Sequence, residues 1–337
     1  MPEHIVSLDQ IREARPVVAS RVHRTPMLSS ATAARFIEAV TGARLADGRL
    51  HLKAEHLQKT GSFKPRGMTW KIASLTADER RRGIITLSAG NAAQAYAWAG
   101  GAAGVPVTVV MPAAAVRSKV DACLGYGAEV ILHGVDVGEA LLEMERVRDG
   151  RGLTYCHPFN DPFVIAGHGS IGLEILEDQP EVDVVVVGVG GGGLISGVAA
   201  ALKESRPAVR VYGVEPERSN ALSLALERGE VVRVQPVSVA DGLGAPFAGE
   251  WTLAMAQRYL DGIVLLDDPT ILAGMRFAAE RLKQVLEPAG AAALAALLAG
   301  RIPLKPGDQV VALASGGNVE VGRIGELFAA AGPLPSA

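Results

Sequence analysis

The sequence predicts an α/β fold of open, twisted sheets, mainly parallel, flanked by helices on both faces. Three observations predict it. Short apolar runs alternate with helix-length amphipathic segments along most of the 337 residues, the pattern of strands buried under helices. Two of the runs pass through a turn of small residues straight into a helix-length segment: 84–87 through Ser88-Ala89-Gly90-Asn91, and 184–187 through Gly188-Val189-Gly190-Gly191-Gly192-Gly193. No internal repeat or low-complexity tract breaks the alternation.

In chain order, 84–87, 105–110, 130–132, 182–187, 209–212 and 311–313 read as short buried strands. Segments 91–100, 138–148, 193–205 and 270–286 suit helices. Arg80-Arg81-Arg82, after Asp78-Glu79, reads as a solvated helix end.

Composition narrows the function. Hydrophobic residues make up 49% and charged residues 20%, the profile of a soluble globular enzyme. A net charge of −3 gives no footprint for nucleic acid or an anionic membrane. Cys123 and Cys156, the only cysteines, are too few for a disulfide framework or a cysteine zinc site. The start, Met1-Pro2-Glu3-His4, lacks the basic flank and apolar core of a secretion signal, and the alanine-rich stretch 289–299 is too short to span a bilayer. A cytoplasmic protein is expected.

Four constellations carry chemistry. Lys64 lies between Phe63 and Pro65, after a Thr60-Gly61-Ser62 turn that an ordinary surface lysine would not need. In an apolar pocket its pKa falls, and the free amine can act as a nucleophile toward an aldehyde and as a base. Gly190 to Gly193, with Leu194 opening a helix, can wrap a phosphate with backbone N–H groups. The same stretch satisfies the G-x-G-x-x-G pattern with Glu215 at the end of the next strand, so an NAD-dependent dehydrogenase stays open as a rival, as does a plain tight turn. Ser88-Ala89-Gly90-Asn91 opens a helix whose first N–H groups suit a substrate carboxylate, or is an ordinary cap. Ser315, in Ser315-Gly316-Gly317-Asn318, can offer a hydroxyl to a heterocyclic nitrogen, or is simply a turn residue. Other chemistries fail: Ser170 has His168 where a nucleophile elbow needs glycine, and no His-x-x-x-His spacing exists.

Read together, Lys64, Ser88 to Asn91, the tetraglycine and Ser315 make the chain resemble pyridoxal-phosphate enzymes of the tryptophan-synthase-β fold type. Within them it is similar to the threonine/serine dehydratase and serine racemase group. The similarity runs from His23-Arg24-Thr25-Pro26 through Ala240-Asp241-Gly242 and Glu287-Pro288-Ala289-Gly290 to Asn318. It implies two domains: a large cofactor-binding domain from 1–76 and 157–330, a small substrate-binding domain at 77–156, and a tail at 331–337. It implies pyridoxal 5'-phosphate as cofactor, with Lys64 as the imine-forming catalytic residue and Phe63 packed on the cofactor ring. Asn91 would bond the ring hydroxyl, Gly190, Gly191, Gly192, Gly193 and Leu194 the phosphate, and Ser315 the ring nitrogen. Ser88, Ala89, Asn91 and Ala92 would surround the substrate carboxylate. It further implies a homodimer acting on a small amino acid by β-elimination. L-Threonine or L-serine would give 2-oxobutanoate or pyruvate plus ammonia. A lyase or racemase acting on a hydroxyaspartate, a phenylserine or a hydroxyectoine-pathway intermediate is the alternative.

Some positions depart from the group's pattern. Ala89 stands where racemases place a serine that acts on the face opposite the lysine, and alanine has no proton to give. Ala92 replaces a frequent histidine, and Phe159 stands where certain relatives have an asparagine near the cofactor. Glu215 matches one ligand of the group's divalent cation, but Asn220-Ala221 stands where an aspartate is expected, which weakens a magnesium site. The sequence ends at Ala337, so feedback through a C-terminal effector domain is not expected.

Overall fold

A computed structural model describes residues 4–333; Met1-Pro2-Glu3 and positions 334–337 of the expected tail lie outside the described residues. Ten strands follow in order: β1 (Met27–Ser30), β2 (Leu50–Lys53), β3 (Ile84–Leu87), β4 (Val107–Met111), β5 (Glu129–Leu132), β6 (Thr154–Tyr155), β7 (Val184–Gly188), β8 (Arg210–Pro216), β9 (Gly262–Leu266) and β10 (Val310–Leu313). They form a six-stranded sheet, β1-β2-β10-β7-β8-β9, and a four-stranded sheet, β5-β4-β3-β6. All pairings are parallel except β1 against β2, which turns one edge of the larger sheet antiparallel.

Alternation along the central strands divides the larger core. Val184, Val186, Val310 and Ala312 face helices Ala31–Thr41, Asp268–Phe277 and Pro288–Leu298. Val185, Val187, Val311 and Leu313 face Leu8–Ala19, Pro162–Asp178, Gly193–Ser205 and Glu250–Tyr259. With both faces covered, these strands read as continuous apolar runs. The smaller sheet packs Ile84, Val107 and Val109 on one face against helix Asn91–Ala103, and Ile85 and Val110 on the other against Val137–Arg151. Met68 and Ile72 of helix Pro65–Ala73 join the first of these cores, so the segment following Lys64 packs into the smaller sheet's side.

Two expectations change. The helix read over 270–286 spans Asp268–Phe277, continues as a π turn over Ala278–Leu282 and stops at Lys283, whose φ of 59° is left-handed. Strands β1, β2, β6 and β9 are not among the runs read from the sequence. β2 hides in the pattern Leu50-His51-Leu52-Lys53, whose polar residues are also buried. No helix among the described residues is long and apolar enough to cross a membrane.

Candidate active site

The expected site loops lie at C-terminal ends of parallel strands. The glycine loop leaves β7 and Ser315 follows β10, and these strands are neighbours. β7 has β8 on its other side, so the two loops flank a point where strand order reverses, the place an open α/β sheet leaves a crevice. Ser88-Ala89-Gly90-Asn91 leaves β3, which has β4 on one side and β6 on the other.

Lys64 precedes helix Pro65–Ala73, which opens on the proline that suits a first helical position. The segment before it pairs with the Ser315 loop: Ser62 and Gly316 form an antiparallel bridge, and Phe63 N donates to Ser315 O at 3.0 Å. The Lys64 amine donates to Pro158 O at 3.0 Å and lies 5.0 Å from the Phe63 ring centroid. No carboxylate reaches it among the described residues, and burial of the amine lowers its pKa to about 8. The Phe63 ring meets His168 edge-on, with centroids 4.7 Å apart. Burial holds that histidine far below its ordinary pKa, hence neutral.

The tetraglycine forms a close cradle. A Cβ at Gly191 would collide with the Phe159 ring carbons, and one at Gly193 would sit 2.7 Å from Phe159 O; Gly192 has a φ of +88°. Only glycine lets the loop run this tightly under the phenylalanine. Among the described residues, the N–H groups of Gly190, Gly191 and Gly192 reach no protein acceptor, and Gly193 and Leu194 contribute the free first N–H groups of helix Gly193–Ser205. Five such donors in one loop at a helix N-terminus suit a phosphate.

The dinucleotide alternative fails here. Glu215 is fully buried and its carboxyl accepts from Leu222 N at 2.8 Å, Ser223 N at 2.9 Å and Ser223 Oγ at 2.6 Å, so it caps helix Ala221–Arg228 and cannot meet a ribose. Burial raises its pKa to about 7. The same engagement leaves poor ligation for a hard cation, and among the described residues no three His, Cys, Asp or Glu side chains gather to hold a metal ion.

At the start of helix Asn91–Ala103, Ser88 Oγ accepts from Gly90 N at 3.2 Å, and no side chain caps the helix. The N–H groups of Asn91 and Ala92 find no acceptor among the described residues, and Ala89 packs beside the smaller sheet's core. The Asn91 amide bridges to the other sheet: its Nδ2 donates to Glu287 Oε1 at 2.7 Å and its Oδ1 accepts from Asn318 Nδ2 at 2.8 Å. Ser315 is buried.

Four residues here have no role assigned in the sequence reading. Pro158 and Phe159 join the amine to the glycine loop; Phe159 is noted from the sequence only as a departure from an asparagine of certain relatives, and nothing local marks Pro158. Glu287 is visible in a motif but has no contact assigned from it. Arg66, two residues after Lys64, is 0% exposed and bonds Glu55 and Glu174 with four hydrogen bonds of 2.7–2.8 Å. The signal for it is a charge set between Pro65 and Gly67 at the start of an otherwise tightly packed helix.

The family described as pyridoxal-phosphate dependent enzymes matches residues 19–316. An L-threonine ammonia-lyase of Thermotoga maritima is 42% identical over 325 residues, covering 96% of this chain and 78% of that protein. The solved T.th. threonine deaminase superimposes with a TM-score of 0.83 at 38% identity, over 93% of this chain and 99% of that one. Maize serine racemase does so with a TM-score of 0.88 at 34% identity, over 95% and 96%. Matched over most of its length by this family and by relatives of about 40% identity, the chain belongs to the pyridoxal-phosphate-dependent enzymes.

Proposed function

We propose that the protein is a hydroxy-amino-acid ammonia-lyase, converting L-threonine or L-serine to 2-oxobutanoate or pyruvate with release of ammonia. The observation that carries this is the Lys64 amine, desolvated and, among the described residues, bonded only to the neutral Pro158 carbonyl, with the glycine loop's N–H groups finding no acceptor among those residues either. When bound, pyridoxal phosphate supplies an aldehyde for the substrate's amine and a ring that withdraws electrons from Cα. Residues 190–194 would hold its phosphate, Phe63 would pack on its ring, and Asn91 and Ser315 would meet the ring hydroxyl and nitrogen.

Carboxylate binding, Cα deprotonation and the partner of the ring nitrogen fall to side chains and amides of this chain, while the departing β-hydroxyl would take its proton from the cofactor's phosphate. The N–H groups of Asn91 and Ala92, with the Ser88 hydroxyl, bind the substrate carboxylate and fix Cα relative to Lys64. Lys64, with its pKa lowered to about 8, takes the Cα proton as general base. Ser315 gives the ring nitrogen a neutral partner, which favours loss of the β-hydroxyl over prolonged charge storage. Ala89 has no proton to deliver from the opposite face, which favours elimination over racemisation.

The four strands of the smaller sheet all lie within 77–156 and the six of the larger outside it, which supports the proposed division into a substrate domain and a cofactor domain. A cytoplasmic homodimer is part of the reading on family resemblance.

Purified protein assayed against threonine, serine, hydroxyaspartate, phenylserine and a hydroxyectoine-pathway intermediate tests the reading. Threonine or serine should give the fastest release of 2-oxo acid and ammonia, and Lys64→Ala should lose both turnover and the cofactor's absorbance band. Normal turnover by Lys64→Ala, or racemisation outrunning elimination, would sink it.

A further inference from the structure

Glu287 occupies the N-cap of helix Pro288–Leu298, where an acidic side chain ordinarily turns back to the free N–H groups, yet it makes no such bond. Its carboxyl, only 3% exposed, crosses instead to the other sheet and accepts from Asn91 Nδ2 at 2.7 Å. Asn318 Nδ2 donates to Asn91 Oδ1 at 2.8 Å and to Thr60 O at 2.7 Å. The Asn91 amide therefore has an acceptor facing its nitrogen and a donor facing its oxygen. A flip would set donor against donor and acceptor against acceptor.

The surroundings are shaped for this carboxyl. Glu287 N donates to Gly316 O at 3.1 Å, and a Cβ at Gly316 would collide with Glu287 Oε1, so a residue with any side chain there would displace it. Asp241, ion-paired to Lys119 at 2.6 Å, is its charged neighbour. Burial first and Asp241 second raise the Glu287 pKa to about 7. Protonated or ionised, it keeps a lone pair for Asn91.

We propose that Glu287 is a positioning residue for the cofactor: with Asn318 it holds the Asn91 amide in one orientation and leaves one amide N–H for the ring hydroxyl of pyridoxal phosphate. This rests on the assignment of Asn91 to that hydroxyl, and it concerns cofactor capture, so it stands apart from which amino acid is turned over.

The test titrates apoprotein with pyridoxal phosphate, reading the dissociation constant and absorbance maximum, with circular dichroism and melting of each apoprotein as the folding check. Glu287→Ala should weaken cofactor binding about tenfold and shift the band, whereas Glu287→Gln, which keeps an acceptor oxygen, should stay within about threefold of the parent. If Glu287 acts through Asn91, the double variant Glu287→Ala/Asn91→Ala should bind no more weakly than Asn91→Ala alone. Parent-like binding by Glu287→Ala, equal losses in the Ala and Gln variants, or additive losses in the double variant would each overturn the proposal. Parent-like binding by Asn91→Ala would overturn it together with the Asn91 assignment. Should Glu287→Ala not fold, Asn318→Ala removes the opposite restraint and should also weaken binding, and parent-like affinity there would overturn the proposal.

Discussion

Lys64 and Arg66 stand two residues apart at the start of one helix, both with their basic groups drawn inside, and burial does opposite things to them. Around Arg66 the structure gathers Glu55 and Glu174, and Lys53 in turn bonds Glu174 at 2.7 Å and Thr25 O at 2.8 Å. Burial by itself would lower the Arg66 pKa; the two carboxylates outweigh it and hold the guanidinium charged. Among the described residues Lys64 has one carbonyl and no carboxylate to offset its desolvation, and its pKa falls to about 8. Complete pairing turns a buried cation into a brace. Incomplete pairing leaves one with a lowered pKa, as the proposed role of Lys64 requires.

The largest break in this comparison comes from removing the brace. Arg66→Met leaves Glu55 buried without a cationic partner and Glu174 with Lys53 alone, and should lower unfolding free energy by about 3–5 kcal/mol, read from denaturant midpoints. A loss well below 1 kcal/mol would mean the cluster is not the scaffold described. Acidity sharpens the other half. Below its pKa Lys64 is protonated, so the rate at which apoprotein captures pyridoxal phosphate should climb about tenfold per pH unit below pH 7 and flatten above about pH 8. A rate still climbing about tenfold per unit beyond pH 9 would indicate an ordinary, solvated lysine. The smallest effect trims one bond from the brace: Thr25 Oγ1 donates to Glu55 Oε1, and Thr25→Val should lower stability by about 1 kcal/mol while leaving the Lys64 pH profile in place. A shifted profile would show that the two cations are coupled and not separate.

Much of this is legible in the sequence because it is local. β3 and helix Gly193–Ser205 match their apolar runs, and the tetraglycine and the Ser88 turn sit at strand ends, where a short motif reports its own geometry. What the sequence hides depends on partners far along the chain. β2 carries Lys53, a residue that argues against a buried strand until Glu174, far downstream, neutralises it. Arg66 looks like a loop charge for the same reason. The stop at Lys283 escapes notice because no proline or glycine announces it; a lysine takes the left-handed position. Glu287 appears in the sequence only as part of the Glu287-Pro288-Ala289-Gly290 motif, and only the fold shows which segment it serves.

Pro158 and Phe159 are consecutive residues, one receiving the amine of Lys64 and the other roofing the glycine loop. That single peptide works as a crossbar between the Lys64 amine and the glycine loop, the two ends of the proposed cofactor site. Any redesign that widens the space at one end drags on the other. Substrate range should therefore be altered from the far wall, beyond the turn at Ser88, leaving the crossbar untouched.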